Sequence, residues 1–247
     1  MKKIIKAFLV GACGSLFLFS LGCASSSLDV NIPMNRFQTP TTSGGLWKGK
    51  AGYFTSGGVT VKVVNDMTQT PPSSSGTQIT SLQTSSGGFD LALGLAEMVD
   101  IVSVYGGVGA KVQFLGIGKH DWVGTLRAVQ ASSTSSNSLT VGGNAYSGSA
   151  SLTARDYGVS VGRYLNENLI GFGSLGYRDL KGNSNIQQPG QAYNYSDSGL
   201  QRIASVGLEV QVSYFDLAVE AGGGTTTWSR ASDSWMNFIG IEGAFRW

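Results

Sequence analysis

The alternation of apolar residues with small or polar residues constrains this fold more than any other feature of the sequence. Between residues 200 and 212 the even-numbered positions are mainly apolar, and the odd-numbered positions are mainly polar or small. After a short turn near Ser213, the odd positions from Phe215 to Ala221 become the apolar ones, so the pattern continues on a return segment. A period of two is that of a β-strand, whose successive side chains point to opposite faces. Beyond Leu46 almost no segment has a helical period, which predicts an all-β chain.

Ten segments have this alternation, and clusters of turn-forming residues separate them. They cover residues 47–64, 87–95, 100–106, 107–116, 121–132, 148–163, 168–180, 199–212, 215–228 and 235–247. Compact connections alternate mostly with long polar ones, which lie at 66–86, 133–147, 181–198 and 229–234. The short connection at Gly106–Gly107 and the length of segment 47–64 leave eight or twelve strands possible.

The tryptophans favour a membrane barrel over a soluble sheet. All five fall at or near predicted strand ends: Trp47, Trp122, Trp228, Trp235 and Trp247. Membrane barrels carry a girdle of aromatic residues at each interface, which produces this distribution. The sequence therefore predicts a closed antiparallel transmembrane β-barrel of about ten strands. A soluble periplasmic β-sandwich lipoprotein is the alternative, because a sandwich has the same period.

The final segment carries a more local signal. Trp235, Ile239, Ile241, Phe245 and Trp247 share one face, and the chain ends on an aromatic residue. At about 3.3 Å per residue and a tilt of about 40°, this segment spans about 30 Å, which is close to the distance between two girdles. It resembles the closing strand of bacterial outer-membrane proteins. That resemblance implies an outer-membrane location, contact with outer-membrane lipids, and recognition of Trp247 by the barrel-assembly machinery.

The N-terminus predicts export. Three lysines precede an apolar stretch that ends in small residues, so residues 1–22 are predicted to be a signal peptide. The junction Ser20-Leu21-Gly22-Cys23 resembles the lipobox of bacterial lipoproteins, which implies lipidation of Cys23, although ordinary cleavage before Cys23 stays open. Residues 23–46 lack periodicity and are predicted to be a flexible tether, followed by the barrel over 47–247. Both termini are expected in the periplasm.

If the apolar faces meet lipid, the opposite faces send charged residues into the barrel. These are Lys62, Asp90, Lys111, Arg127, Asp156, Glu209, Asp216, Glu220, Glu242 and Arg246. Side chains of both signs can pair across a small barrel and largely fill it. A narrow pore for small solutes is the alternative interpretation of the same residues.

Composition gives little support to catalysis. The net charge is only +2, which argues against a nucleic-acid partner. The single histidine, His120, lies in a predicted periplasmic turn, and no motif indicates a metal or a cofactor. We therefore expect a structural or surface-interacting role without enzyme activity, with a lipid-modifying enzyme as a further alternative. The long polar segments, rich in Ser, Thr and Asn, suit contact with carbohydrate or protein.

Overall fold

The barrel is formed by ten strands that close into an antiparallel ring. The computed structural model describes residues 27–33, 37–64, 66–72, 78–79, 84–104, 106–116, 122–229 and 231–247. Within these ranges two shorter strands accompany the ten strands of the ring. The strands are β1 (Leu28–Pro33), β2 (Gly49–Val64), β3 (Gln78–Ile79), β4 (Thr84–Ala96), β5 (Val99–Val104), β6 (Gly107–Leu115), β7 (Trp122–Val141), β8 (Asn144–Asn166), β9 (Leu169–Gln188), β10 (Gln191–Val212), β11 (Phe215–Trp228) and β12 (Ala231–Arg246). β1 and β3 both pair with β2 and are not among the ten strands that close the ring. The predicted ten-stranded barrel is confirmed.

The ring closes through β2, which pairs with β4 along one edge and with β12 along the other. At the last residue, the amides and carbonyls of Gly49 and Trp247 exchange two hydrogen bonds of 3.2 and 3.1 Å. Closure gives hydrogen-bond partners to the backbone groups at both sheet edges. This matters because an unpaired backbone group in hydrocarbon costs several kcal/mol. We call this end of the barrel, where the turns at 97–98, 167–168 and 213–214 also lie, the base.

The outward face of the ring is an apolar belt. Large apolar side chains point away from the barrel on successive strands, and Phe89, Val206 and Ile239 are 78%, 67% and 67% exposed. Their neighbours of opposite parity are buried in the interior, as Ser205 and Gly240 are. A soluble protein rarely exposes a continuous apolar surface of this size, so the belt is the face that meets lipid.

Among the described residues there is no helix with the length and apolar character needed to cross a membrane.

Strands β7 to β10 continue past the belt and form a tall wall on one side of the barrel. Val141 pairs with Asn144 and Gln188 with Gln191, so only two residues connect each pair of strands. Gly142 and Gly143 both have positive φ, as a tight hairpin turn of the I′ type requires. The predicted long loops at 133–147 and 181–198 are therefore wrong. Their Ser and Asn content resembles a loop, but cross-strand pairing continues through them.

An apolar core lies inside the tall wall, above the belt. β1 pairs with residues 58–64 of β2, and the inward-facing Asn137 of β7 donates a 3.0 Å hydrogen bond to the carbonyl of Ser27. The core combines residues of β1, β2, the wall, β11 and β12 with Met67, which follows β2: Leu28, Val30, Val64, Met67, Ala150, Leu152, Leu180, Ile186, Ile203, Trp228, Met236 and Phe238. The wall is therefore supported from inside by packed side chains.

The N-terminal region differs from the prediction. Its described part, residues 27–33 and 37–43, packs inside the barrel instead of forming a flexible tether. The few apolar residues there are too irregularly spaced to give a period, so the sequence pattern did not reveal their burial. Leu28 pairs with Val64 at the tall end, whereas Trp247 lies at the base. These two residues therefore lie at opposite ends of β2, and the periplasmic location of the two termini stays a prediction. Residues 1–26, which include the predicted signal peptide and Cys23, lie outside the described residues.

A charge placed in the middle of the belt tests its contact with hydrocarbon. Val206→Arg is expected to lower the free energy of unfolding by about 2–4 kcal/mol, the cost of a cation near the bilayer midplane. Ser198→Arg, on the same strand beyond the belt, is the matched control and should change stability by less than about 1 kcal/mol. Denaturant titration of the protein folded into lipid vesicles measures both. Equal effects of the two substitutions would show that the belt does not face lipid.

Candidate functional site

We call residues 37–48 the inner segment. Residues 37–43 lie in the lumen of the lower barrel, whereas Leu46, Trp47 and Lys48 are exposed at the base. The amide of Phe37 donates a 2.8 Å hydrogen bond to Glu220 Oε2, and its ring lies 5.7 Å from that of Phe54. Lys111 Nζ donates to Thr39 Oγ1 at 3.1 Å. Three different strands of the ring therefore hold the upper part of the inner segment in place.

The inner segment continues downward and reaches the base. The amide of Thr42 donates to Gln113 Oε1 at 3.1 Å, and its hydroxyl donates to the carbonyl of Glu97 at 2.9 Å. The amide of Ser43 donates to Asp100 Oδ2 at 2.9 Å. Because a buried amide without a partner costs free energy, these lumen side chains replace the strand neighbours that the segment lacks.

A charged network crosses the middle of the lumen. Arg178 donates to Asp156 Oδ2 from Nε at 3.2 Å and from Nη2 at 2.9 Å, and Arg127 Nη2 lies 4.0 Å from the same oxygen. Arg178 Nη1 also donates to Gln201 Oε1 at 2.8 Å, and Gln201 donates onward to Thr226 Oγ1 at 2.9 Å. The network spans β7 to β11, so it connects half of the ring through side chains.

A second charged cluster lies nearer the base. Lys50 Nζ is 2.5 Å from Glu242 Oε1, and Arg246 Nε is 2.5 Å from Asp216 Oδ2. Arg246 Nη2 also lies 3.8 Å from Glu209 Oε1. Buried charges of this kind are tolerated when they face opposite charges, which is the arrangement here.

The predicted interior charges lie as follows. Seven are buried in the lumen: Lys111, Arg127, Asp156, Glu209, Asp216, Glu220 and Glu242. Asp90 and Arg246 are half-buried, and Lys62 aligns with Asp29 of β1, its side chain lying outside the described residues. Sequence reasoning missed Lys50, Asp100 and Arg178. Counting parity along their strands would have found them, because each alternates with an outward residue.

The tryptophans differ in one case from the predicted girdle. Trp47, Trp122, Trp235 and Trp247 are exposed on the barrel surface. Trp228 is only 3% exposed and belongs to the apolar core of the tall wall, so its assignment to the girdle is wrong. It has the same parity on β11 as the inward-facing Glu220, which explains its burial. His120 lies outside the described residues.

A chain of hydroxyl and carboxylate groups lies beside the inner segment. Ser174 Oγ is 2.6 Å from Ser205 Oγ, and Ser205 Oγ donates to Glu220 Oε1 at 2.5 Å. The other oxygen of Glu220 accepts the amide of Phe37. All three polar side chains are buried, so the inner segment covers the arrangement that most resembles a nucleophile beside a base.

The outward surface of the tall wall carries two rows of neutral polar side chains, which we call the polar face. Each row crosses the four strands β7 to β10, as the pairing registers show. The rows are Thr134, Ser151, Asn183 and Ser196, and Ser136, Ser149, Asn185 and Asn194. A shallow groove runs over this region.

The side chains of the polar face are partly ordered by hydrogen bonds among themselves. Asn185 Nδ2 donates to Asn194 Oδ1 at 2.6 Å, and Gln187 Nε2 donates to Asn185 Oδ1 at 2.8 Å. The inward neighbours Ala150 and Ser184 are buried, so the polar face is one side of a sheet whose other side is packed. It is a hydrogen-bonding surface without charge.

Within the described residues, no group of three or more His, Cys, Asp or Glu side chains is arranged to hold a metal ion.

Comparison with known proteins identifies similar folds only. No family model matches the sequence, and no curated protein matches it. The solved structure of the outer membrane protease OmpT from Escherichia coli is similar with 11% identity and a TM-score of 0.44, over 93% of this chain and 99% of that one. The attachment invasion locus protein Ail of Yersinia pestis is 12% identical with a TM-score of 0.36, over 82% and 99% of the two chains. The outer membrane channel DcaP of Acinetobacter baumannii is 10% identical with a TM-score of 0.19, over 82% and 96%.

The closed ring and its apolar belt decide the class of architecture. This chain has the fold of an outer-membrane β-barrel. A fold of this class hosts many unrelated functions, so the role of this barrel has to be argued from its own side chains.

The charged network in the middle of the lumen provides a stability test. Arg178→Met removes both hydrogen bonds that Arg178 donates to Asp156 Oδ2 and is expected to cost about 3–5 kcal/mol, the usual cost of breaking a buried ion pair. Adding Asp156→Asn should give a total loss at least about 1 kcal/mol smaller than the sum of the two single losses, because Arg178 and the carboxylate that it pairs with are then both absent. Denaturant titration in vesicles measures the double-mutant cycle. Additive losses would show that the two side chains are not coupled.

Proposed function

We propose that this protein is a non-conducting barrel of the bacterial outer membrane whose role is to hold the tall wall, with its polar face, outside the cell. The observation that carries this proposal is the inner segment, which fills the lower lumen and hydrogen-bonds to it from Phe37 to Ser43. A lumen occupied by a hydrogen-bonded chain leaves no water-filled path comparable to that of a porin. The polar face is then the part available for contact.

In this proposal the base faces the periplasm and the tall wall faces outward. Short connections at the base and long strands at the other end support this orientation, because outer-membrane barrels have short periplasmic turns and larger external parts. The aromatic C-terminal strand ends at the base, where the barrel-assembly machinery would recognise Trp247. Export through the signal peptide and lipidation of Cys23 remain predictions.

The proposal includes no catalytic activity. The hydroxyl and carboxylate chain of Ser174, Ser205 and Glu220 is buried beneath the inner segment, which supports a packing role. A lipid-modifying enzyme would need such groups open to the membrane surface.

A narrow pore is the second candidate, and the charged lumen is the observation that favours it. Solute passage along Lys111, Arg127 and Glu209 would require the inner segment to leave, since Lys111 already donates to Thr39. Conductance therefore separates the two functions.

Planar bilayer recording tests the proposal. The wild-type protein is expected to give no stable conductance steps. In a Gln113→Ala/Thr125→Ala double variant, the amide of Thr42 loses its acceptor and the carbonyl of Thr39 loses its donor. This variant should give brief openings. As a control that the variant is folded, its unheated and boiled samples should migrate differently on a gel, the shift that we call heat-modifiable migration. Steady wild-type steps that change size when Glu209 is replaced by Gln would contradict the proposal and establish the pore.

A further inference from the structure

We infer that the polar face binds a neutral polysaccharide, whose hydroxyl groups hydrogen-bond along the two rows of side chains. This inference rests on the proposed function, because the polar face must be outside the cell to meet such a ligand.

The composition of the polar face is unusual for an exposed sheet. Protein surfaces normally carry a quarter or more of charged residues, and strands on surfaces use charge to prevent edge and face association. The eight residues of the polar face include none. Asn is also depleted in strands, so strand stability does not account for Asn183, Asn185 and Asn194 on adjacent positions. Contact with a ligand is a physical reason for keeping these amides.

The geometry of the polar face matches a polymer rather than a small molecule. Neighbouring strands lie about 4.8 Å apart, and side chains on the same face of one strand lie about 7 Å apart. Four strands therefore present hydroxyl and amide groups at regular intervals over about 15 Å. The groove over Ser149 and Asn185 is shallow and open, which suits a chain laid across it.

The donors and acceptors are of the right kind. Serine and threonine hydroxyls both donate and accept, and asparagine amides do the same through separate atoms. Sugar hydroxyls also donate and accept, so each row can pair with them in either direction. The bond between Asn185 and Asn194 fixes both amides and reduces the entropy that binding would cost.

The lack of charge on the polar face favours neutral polymers over anionic ones. Sulfated or carboxylated chains are bound by Lys and Arg clusters, which form short charge-assisted hydrogen bonds. Among the eight residues of the polar face there is no cation, and the adjoining row through Thr153 and Ser198 carries one, Lys181. An anionic polymer laid along the two rows would therefore lose most of its hydration without compensation. The apolar core behind the wall holds the rows rigid, because Ala150 and Leu152 pack inside on the strand that carries Ser149 and Ser151.

The experiment uses the full-length protein in lipid nanodiscs and measures binding by biolayer interferometry. The neutral probes are dextran, mannan and a galactan, and the anionic probes are heparin and alginate. The wild-type protein is expected to bind at least one neutral polymer and to bind the anionic polymers at least tenfold more weakly.

Variants locate the binding. Ser149→Asp/Asn185→Asp puts two carboxylates into the second row and is expected to weaken neutral-polymer binding at least tenfold. Thr227→Asp places one carboxylate on the outward face of β11, away from both rows, and should leave binding unchanged. Asn185→Ala/Asn194→Ala should also weaken binding, without any added charge. A heat-modifiable band verifies that each variant is folded.

Other outcomes overturn the inference. Preferential binding of heparin or alginate would contradict it, as would neutral-polymer binding that Ser149→Asp/Asn185→Asp leaves intact. If none of the five polymers binds and the protein gives no conductance steps in planar bilayers, the inference fails and the proposed function stands. If bilayers conduct, the proposed function fails independently of the binding result.

Discussion

The structure depends on one constraint, which is that the backbone of a sheet in hydrocarbon must satisfy its own hydrogen bonds. A barrel does this by closing, and here β2 pairs with both β4 and β12. Closure divides every strand into an outward and an inward face. The outward face becomes the apolar belt, and the inward face has to be filled without a conventional core. The rest of the architecture follows from how that interior is filled.

Two different solutions fill the interior at two levels. Near the base, charged pairs such as Lys50 with Glu242 combine with the inner segment, which supplies backbone amides and hydroxyls. Above the belt, where the wall rises beyond the membrane, β1 and the end of β2 supply apolar side chains for an ordinary packed core. Residues 27–33 and 37–43 together contribute to both levels. The buried residues fill the lower lumen and support the tall wall from inside.

Much of this was accessible from the sequence. Period-two alternation predicted the ring strands, because the belt and the lumen impose opposite polarity on successive residues. The segments predicted for β7 to β10 were shorter than the strands themselves. The regions around Ser136 and Asn194 have the composition of loops, although their backbones stay paired. Burial of the inner segment was not predictable, because Phe37 and Thr42 are held by side chains distant in sequence and leave no local period. The burial of Trp228, by contrast, could have been predicted, because it has the same parity on β11 as the inward-facing Glu220.

The burial of the inner segment is the central claim, and thiol accessibility tests it most directly. Thr39 is 2% exposed and Leu46 is 61% exposed, so cysteines at these positions report on two parts of the same segment. The labelling of the unsubstituted protein is measured separately and subtracted. In the folded protein in vesicles, Thr39→Cys should then react with a small maleimide at least tenfold more slowly than Leu46→Cys. The difference should vanish after denaturation. Equal labelling of both positions in the folded barrel would show that the segment lies outside the lumen and would contradict the account of a closed interior.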